Sequence, residues 1–409
     1  MTRSAPAHTP ASARTLAFVE SPVQLLNVLE WAHARSGPAS EPGRLLDGVP
    51  RQPSRSAAGP PGPDGEGPPA RSAKRRLGEG EGTGVRIVVL PPTDPMSRGQ
   101  LRRMAGLARD EGHEVRWQEA RGGRFAPVKA LAALAREVRA ARRVVIGDPF
   151  SRYVQLLLTL VRAEELVVVD DGTATMEFVA QTSRGERLVR WHRVGGGGLP
   201  GRLRELAYAP VSANARRRFT PRPGGSRRVE VFTSMPVSAP HAAMTVRLND
   251  FAWTRARFGP PRLTKGTDLV GTSLVETGVV DPDRYREAVR ALALEHGATR
   301  YFAHRRESPE KLRALSEATG LEIVRPDLPL ELIARRGPVG RTIVSFPSTV
   351  VHTLPYALTG TGVTVAVCDV DPLWLTQGAS ARARGFLAGV TDTARDVHRL
   401  PAQAAPAAG

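Results

Sequence analysis

Leu166-Val167-Val168-Val169-Asp170-Asp171-Gly172-Thr173 is a short apolar run that stops abruptly at two carboxylates, a glycine and a hydroxyl. It has no polar face, so it reads as a strand covered on both sides, as in a parallel sheet between helices. Ligands of such sheets lie off the carboxyl ends of the strands, which is where Asp170 and Asp171 fall. Adjacent carboxylates repel, so one tends to have its pKa raised and can serve as a base. Asp170 to Thr173 also suits an Asx-type turn leading into a helix N-cap, and spacing alone leaves both readings open.

Strands and helices alternate on both sides of this stretch. Upstream, Thr15–Val19, Val85–Leu90, Glu114–Trp117 and Arg143–Ile146 read as strands. Helical spacing covers Val23–Ala34, Arg98–Glu111, Ala126–Ala141 and Gln155–Ala163, and Pro22 suits the first turn of the first of these. Downstream, strands are expected at Val229–Phe232, Asp268–Val270, Arg300–Ala303, Glu322–Val324, Thr342–Ser345 and Val363–Val367. Helices are expected at Asp283–His296 and Pro309–Ala318. This alternation means βαβ units and parallel sheets.

The 409 residues make two domains the default. A Gly-rich and Arg-rich stretch from Arg193 to Arg228 reads as a flexible connection. It divides a first Rossmann-like domain (15–215) from a second (216–395), with tails at 1–14 and 396–409. Residues 36–84 are dominated by Gly, Pro, Ser, Ala and charge. They cannot bury enough apolar surface to offset ordering, so they read as a disordered insertion in the first domain. Two α/β domains side by side place a ligand in the cleft between them.

Composition narrows the function classes. No run of eighteen apolar residues occurs, and residues 1–14 lack the apolar core of a signal peptide. A lone Cys368 excludes an internal disulfide framework and a four-cysteine zinc site. Together these point to the cytoplasm. The net charge of +18 raises nucleic acid as a partner. Against it, the arginines are spread along the whole chain, aromatics are 5%, and no nucleic-acid motif appears. A basic surface also suits an anionic membrane face or a polyanionic glycan.

Three further strand ends carry candidate chemistry. Tyr301-Phe302-Ala303-His304-Arg305-Arg306-Glu307 sets an imidazole beside two cations, which suits an anionic leaving group but equally a solvated basic turn. Ser345-Phe346-Pro347-Ser348-Thr349 offers hydroxyls at a helix N-terminus, a phosphate cradle or simple capping. Glu331 is a weaker signal. Asp369-Val370-Asp371 has the form of a metal-holding DxD, but a turn into Pro372 accounts for it better. No zinc-spaced histidine pair, P-loop, strand-following GxGxxG or GxSxG elbow is present. No cofactor or metal is expected.

Taken together, these segments resemble the bacterial sialyltransferases, namely the lipooligosaccharide sialyltransferases of glycosyltransferase family 52 and the related capsular polysialyltransferases. Those families carry an acidic pair followed by glycine, then His-Pro, then Ser-Ser/Thr. Here the motifs read Asp170-Asp171-Gly172, His304-Arg305 and Ser348-Thr349, with Glu331 between the last two. Ser21-Pro22-Val23-Gln24 and Gly271-Thr272-Ser273-Leu274 are similar to the family's cleft-lining loops. Arg305 departs from the family, which has proline there.

The resemblance implies a GT-B fold, two Rossmann-like domains with parallel sheets facing a cleft, a layout shared by two-domain dehydrogenases and binding proteins. It implies inverting transfer of sialic acid or a related ulosonic acid from a CMP-sugar to a glycan hydroxyl, without metal. Asp171 would be the base, with Asp170 shaping its environment, and His304 would assist CMP departure. Ser348, Thr349, Glu331, Gly271 and Arg305 would hold the donor, and Ser21, Gln24 and Gly172 the acceptor. An anionic acceptor at the inner face of the cell membrane would suit the basic surface. A non-catalytic nucleotide or sugar sensor would keep Ser348 and Glu331 but need no Asp171. A nucleic-acid binder would use the arginines.

Overall fold

The computed structural model describes residues 15–36, 84–121, 123, 126–190, 199–221 and 224–403. The tail 1–14 and nearly all of the insertion 36–84 lie outside the described residues.

The first half is a seven-stranded parallel sheet. Its strands are β1 (Thr15–Val19), β2 (Val85–Val89), β3 (Glu114–Trp117), β4 (Arg143–Ile146), β5 (Glu165–Val169), β6 (Arg228–Thr233) and β7 (Met244–Leu248). They run in the order β3-β2-β1-β4-β5-β6-β7. The connecting helices are α1 (Pro22–Ser36), α2 (Pro95–Asp110), α3 (Ala126–Ala140), α4 (Arg152–Leu158), α5 (Thr173–Ser183) and α6 (Leu199–Phe219), and α7 (Ala252–Arg257) leads out of the sheet. Every residue of β1 and β5 is buried. Alternate residues of one strand feed two clusters on opposite faces: Leu166 and Val168 on one side, Val167 and Val169 on the other.

The second half repeats the plan. Six parallel strands, β8 (Leu263–Val270), β9 (Ala298–Phe302), β10 (Glu322–Val324), β11 (Val339–Ser345), β12 (Thr364–Cys368) and β13 (His398–Leu400), lie in the order β10-β9-β8-β11-β12-β13. Helices α8 (Pro282–Glu295), α9 (Pro309–Thr319), α10 (Leu330–Arg336), α11 (Val350–Ala357) and α12 (Ala381–Thr393) cover it. Both halves therefore share the Rossmann order, in which the chain reverses direction across the sheet between its first and fourth strands. These two Rossmann-like domains, with the carboxyl ends of their strands meeting at a cleft, are the GT-B fold.

Three expectations need correction. The boundary at 215/216 is too early, because β6 and β7 pair onto β5 and complete the first sheet. The crossover lies between Leu248 and Leu263. The expected flexible connection contains α6, a 21-residue helix with Pro210 inside, which packs on α4 and buries Ala215 and Phe219. The tail assigned to 396–409 begins too early, since β13 pairs with β12. In addition, α4 begins at Arg152 after its Ser151 cap and stops at Leu158.

The crossover is pinned by buried polar groups. Glu30 accepts from the Trp253 and Thr254 amides at 2.8 and 2.9 Å and from the Thr254 hydroxyl, which places its carboxyl group at the N-terminus of α7. Asn249, fully buried, donates to the Asn27 side chain at 2.9 Å, and Asn27 donates to the Asp170 carbonyl at 2.9 Å. The Asn249 side-chain oxygen accepts from the amide of Phe251, whose φ of 56° is left-handed. The halves meet through Trp253, Leu328, Leu332 and Ala357 in one apolar cluster, and through a Gln100 bond to the Pro326 carbonyl.

Candidate functional site

The carboxyl ends of β1, β4 and β5 present Glu20, Asp148, Asp170 and Asp171, and the last two behave very differently. Asp170 is 1% exposed. One of its oxygens accepts from the Gly172 amide at 2.9 Å and the Thr175 hydroxyl at 3.0 Å, an Asx turn. The other accepts from the Ser234 amide and hydroxyl at 3.2 and 3.1 Å. Its lone pairs are spent on holding the turn.

Asp171 has its amide held by the Thr175 hydroxyl, and its carboxylate feels the charge of Arg305 from the second half. Arg190 bridges it to Asp148, one guanidinium nitrogen lying 3.0 Å from Asp171 and 2.9 Å from Asp148. Burial, and then the Asp148 charge, raise the Asp171 pKa to about 7, against the opposing pull of Arg190, the Gln24 side chain and Arg305. Gln24, itself buried, also accepts from the Glu20 amide at 2.7 Å and packs where Gly147 has no side chain. Ser21 caps α1 by accepting from the Gln24 amide at 3.2 Å. Glu20 is raised by burial and held by Arg121 and Ser151.

Across the cleft, the loop after β9 carries His304, Arg305 and Arg306. Buried Glu307 anchors it, accepting from the His304 amide and from the Tyr301 hydroxyl, each at 2.6 Å, and pairing with Lys311 at 2.8 Å. Gly271 lies so close to Glu307 and Tyr301 that no side chain would fit, so its place in the site is set by packing. The His304 Nδ1 accepts from the Arg306 amide at 3.2 Å, which puts the neutral ring's proton on Nε2. Burial first, then Arg305, Arg306 and Lys311, lower its pKa to about 4.

Ser348 lies 3.2 Å, oxygen to oxygen, from Ser345, and Thr349 begins α11 without capping it through its side chain. Glu331 is buried in α10 and accepts from Thr353 of α11 at 2.6 Å; burial raises its pKa, and Asp170 adds to the shift. The two halves touch at the motifs themselves. Gly172, at φ 65°, faces Thr349 so closely that a Cβ there would lie 2.8 Å from the threonine methyl. The structure thus brings Asp171, Gly172, Gln24, Arg305, Ser348 and Thr349 to one cleft, whereas Asp170, Ser21 and Gly271 shape its walls.

The sequence reading missed Asp148, Arg190, Glu20 and Glu307. Asp148 follows a buried strand, as Asp170 does, and the same strand-end rule finds it. Arg190 follows α5 outside any helix or strand and carries no such signal. Among the described residues, no group of three or more His, Cys, Asp or Glu could hold a metal ion. In the DxD-like segment, Asp369 pairs with Arg399 and Asp371 caps a short turn at Pro372–Trp374.

No protein-family model matches the chain, and no curated protein matches it. Several solved structures share its outline at low identity. An α/β-galactoside α-2,3-sialyltransferase from Photobacterium phosphoreum superposes with a TM-score of 0.46 at 8% identity, over 94% of this chain and 98% of that one. A putative UDP-N-acetylglucosamine 2-epimerase from Listeria monocytogenes gives 0.41 at 10% identity, over 87% and 79%. An E. coli heptosyltransferase with ADP-2-deoxy-2-fluoro heptose gives 0.35 at 13% identity, over 88% and 90%. Among the described residues no helix is long and apolar enough to cross a membrane.

Proposed function

We propose that this chain is an inverting glycosyltransferase that moves sialic acid or a related ulosonic acid from a CMP-sugar to a glycan hydroxyl, without a metal. The contact of Gly172 with Thr349 carries the reading, because it sets a basic carboxylate directly against a cationic, hydroxyl-rich edge.

In one displacement, Asp171 takes the proton of the acceptor hydroxyl. The acceptor oxygen bonds to the anomeric carbon while that carbon's bond to the phosphate oxygen breaks, and CMP leaves with the electron pair. A carboxylate with a pKa near 7 suits a base at neutral pH. His304 is neutral in the free protein and offers its Nε2 proton to the departing phosphate. The phosphate's charge then raises the imidazole's pKa, so the ring becomes a better proton source as it is needed. Arg305 supplies fixed positive charge between that phosphate and Asp171, and the α11 N-terminus with Ser348 adds donors. One phosphate needs less neutralisation than two, which fits a site without metal. Glu331 accepts from the nucleoside. The setting is cytoplasmic, at the inner face of the membrane, with a glycan acceptor.

Thermal unfolding with nucleotides tests this. CMP should stabilise the fold more than UMP, UDP or AMP; saturation at about 100 times Kd adds roughly 2.7 kcal/mol. The response should vanish in Ser348→Ala and Glu331→Ala yet survive in Asp171→Asn. Preferential stabilisation by UDP would point to a UDP-sugar donor, and no nucleotide response would sink the transferase reading.

A further inference from the structure

A guanidinium between two carboxylates can serve one of them or be divided between both. Arg190 is divided. One of its terminal nitrogens lies 2.9 Å from Asp148 and 3.0 Å from Asp171, so neither carboxylate holds it alone. Two features keep it there. The chain just before Arg190 is clamped by α5, where Gln181 donates to the Val189 carbonyl at 2.8 Å and accepts from the Val189 amide at 3.2 Å. Gln155 of α4 adds a bond to the Leu188 carbonyl at 3.1 Å. Asp148 supplies the second feature. Its other oxygen accepts from the Phe150 amide at 2.8 Å, and the Arg190 guanidinium lies over the Phe150 ring at 5.8 Å. Asp148, buried at the end of β4, therefore grips both the cation and the residue whose ring lies against it.

We propose that Asp148 is a positioning residue: by sharing Arg190 it keeps that cation from pairing fully with Asp171, and so leaves Asp171 able to take a proton. This rests on the transferase reading of the cleft. The physical reason is a competition. An arginine given wholly to one carboxylate can form a two-bond fork that favours the ionised form and makes a poor base. Divided between two carboxylates, it leaves the pair one negative charge in excess, and their mutual repulsion favours proton uptake. Among the charges acting on Asp171, Asp148 outweighs Arg190. Arg305 acts from the second half, and uncharged Gln24 from α1. Glu20 feels the Asp148 charge from the end of β1, and its own charge is met by Arg121.

The test follows the Asp171 carboxyl by carbon NMR in the full-length chain, its signal assigned with Asp171→Asn, so no turnover is needed. Asp148→Asn keeps an oxygen for the Phe150 amide but presents no charge to Arg190. The cation should then pair with Asp171 alone. The titration midpoint, near pH 7 in the native protein, should fall by about one unit. Arg190→Gln should move the midpoint the other way, above 7, and Arg190→Lys, which keeps the charge, should restore it toward the native value. Asp148→Ser, whose hydroxyl can also accept from the Phe150 amide, covers the case in which the asparagine variant does not fold. A purely structural Asp148 would lower the melting temperature without these opposed shifts. An unmoved midpoint in a folded Asp148 variant, or shifts of the same sign in the Asp148 and Arg190 variants, overturns the proposal. CMP stabilisation measured on the same samples separates the two ideas. A CMP response without opposed shifts removes only the role of Asp148. Opposed shifts without a CMP response remove the transferase reading and leave the division of Arg190 standing.

Discussion

The first sheet ends at the cleft in carboxylates, Glu20, Asp148, Asp170 and Asp171, whereas the second ends in His304, Arg305, Arg306 and the hydroxyls of Ser345, Ser348 and Thr349. The two sheets have the same strand order and the same reversal point, so the fold alone does not distinguish them. What separates them is how each edge manages its charge. The acidic edge is internally compensated, with Arg121 on Glu20 and Arg190 shared by Asp148 and Asp171. On the cationic edge one buried carboxylate, Glu307, anchors the loop by its backbone, and Arg305 acts through its charge on Asp171 across the cleft. In the proposed reaction, the first edge would take the acceptor's proton and the second would receive the departing phosphate.

The sharpest way to break this contrast is at the paired aspartates. Asp171→Asn keeps the shape but cannot take a proton, so turnover should fall about 10²- to 10⁴-fold with CMP binding retained. Because this base must be deprotonated, native turnover should rise as pH passes about 7, and a pH–rate profile checks that. Asp170→Asn should instead show mainly as lost stability in thermal unfolding. Its carboxylate accepts from four donors, and an amide must turn its NH₂ toward two of them. If Asp170→Asn abolished turnover in a stable protein while Asp171→Asn did not, the two roles would have to be exchanged.

A smaller effect sharpens the comparison away from the cleft. Glu30 is raised from 4.5 to about 7 by burial, so its protonated form is the one the fold favours. That contribution is complete below pH 4.5 and is lost as pH rises through 7. Stability should therefore fall by about 3 kcal/mol over that range, and Glu30→Gln should flatten this part of the profile. Denaturant melts of both proteins at several pH values measure the difference. An unchanged slope in Glu30→Gln would mean the carboxyl is not the group that titrates.

The smallest expected effect concerns residues 36–84. α1 ends at Ser36 and β2 begins at Val85, which is in register with Thr15 at the start of β1. Both attachment points thus lie at the amino edge of the sheet, opposite the cleft. Replacement by a short Gly/Ser linker should leave turnover unchanged and shift stability little, since loop-closure entropy varies slowly with length. A large loss of turnover in a folded variant would place the segment in the site.

Much of this was legible because buried parallel strands announce themselves. β3, β4 and β10 fall on the expected residues, and the strand-end rule reached Asp171, His304 and Ser348. The allegiance of β6 was not legible, since a strand's own residues do not say which sheet it joins. β7, Met-Thr-Val-Arg-Leu, is a half-exposed edge strand and lacks a continuous apolar run. α6 was hidden by its internal proline, its arginines and its weak apolar stripe. Arg190 reaches Asp171 from nineteen residues away by tertiary packing alone.

The line of buried amides from Asp170 through Asn27 to Asn249 has a mechanical consequence. Together with Glu30 it fastens the chain, as far as Thr254, to the same body that carries Asp171. The second half is held to that body by different contacts: the apolar cluster around Trp253 and Leu332, Arg255 on the Tyr356 carbonyl, and Arg335 on the Phe258 carbonyl. If the halves part to admit a donor, it is these latter contacts that yield. The Asp170–Asp171 turn would then stay assembled, so in the proposed reaction its geometry would be set before a donor arrives.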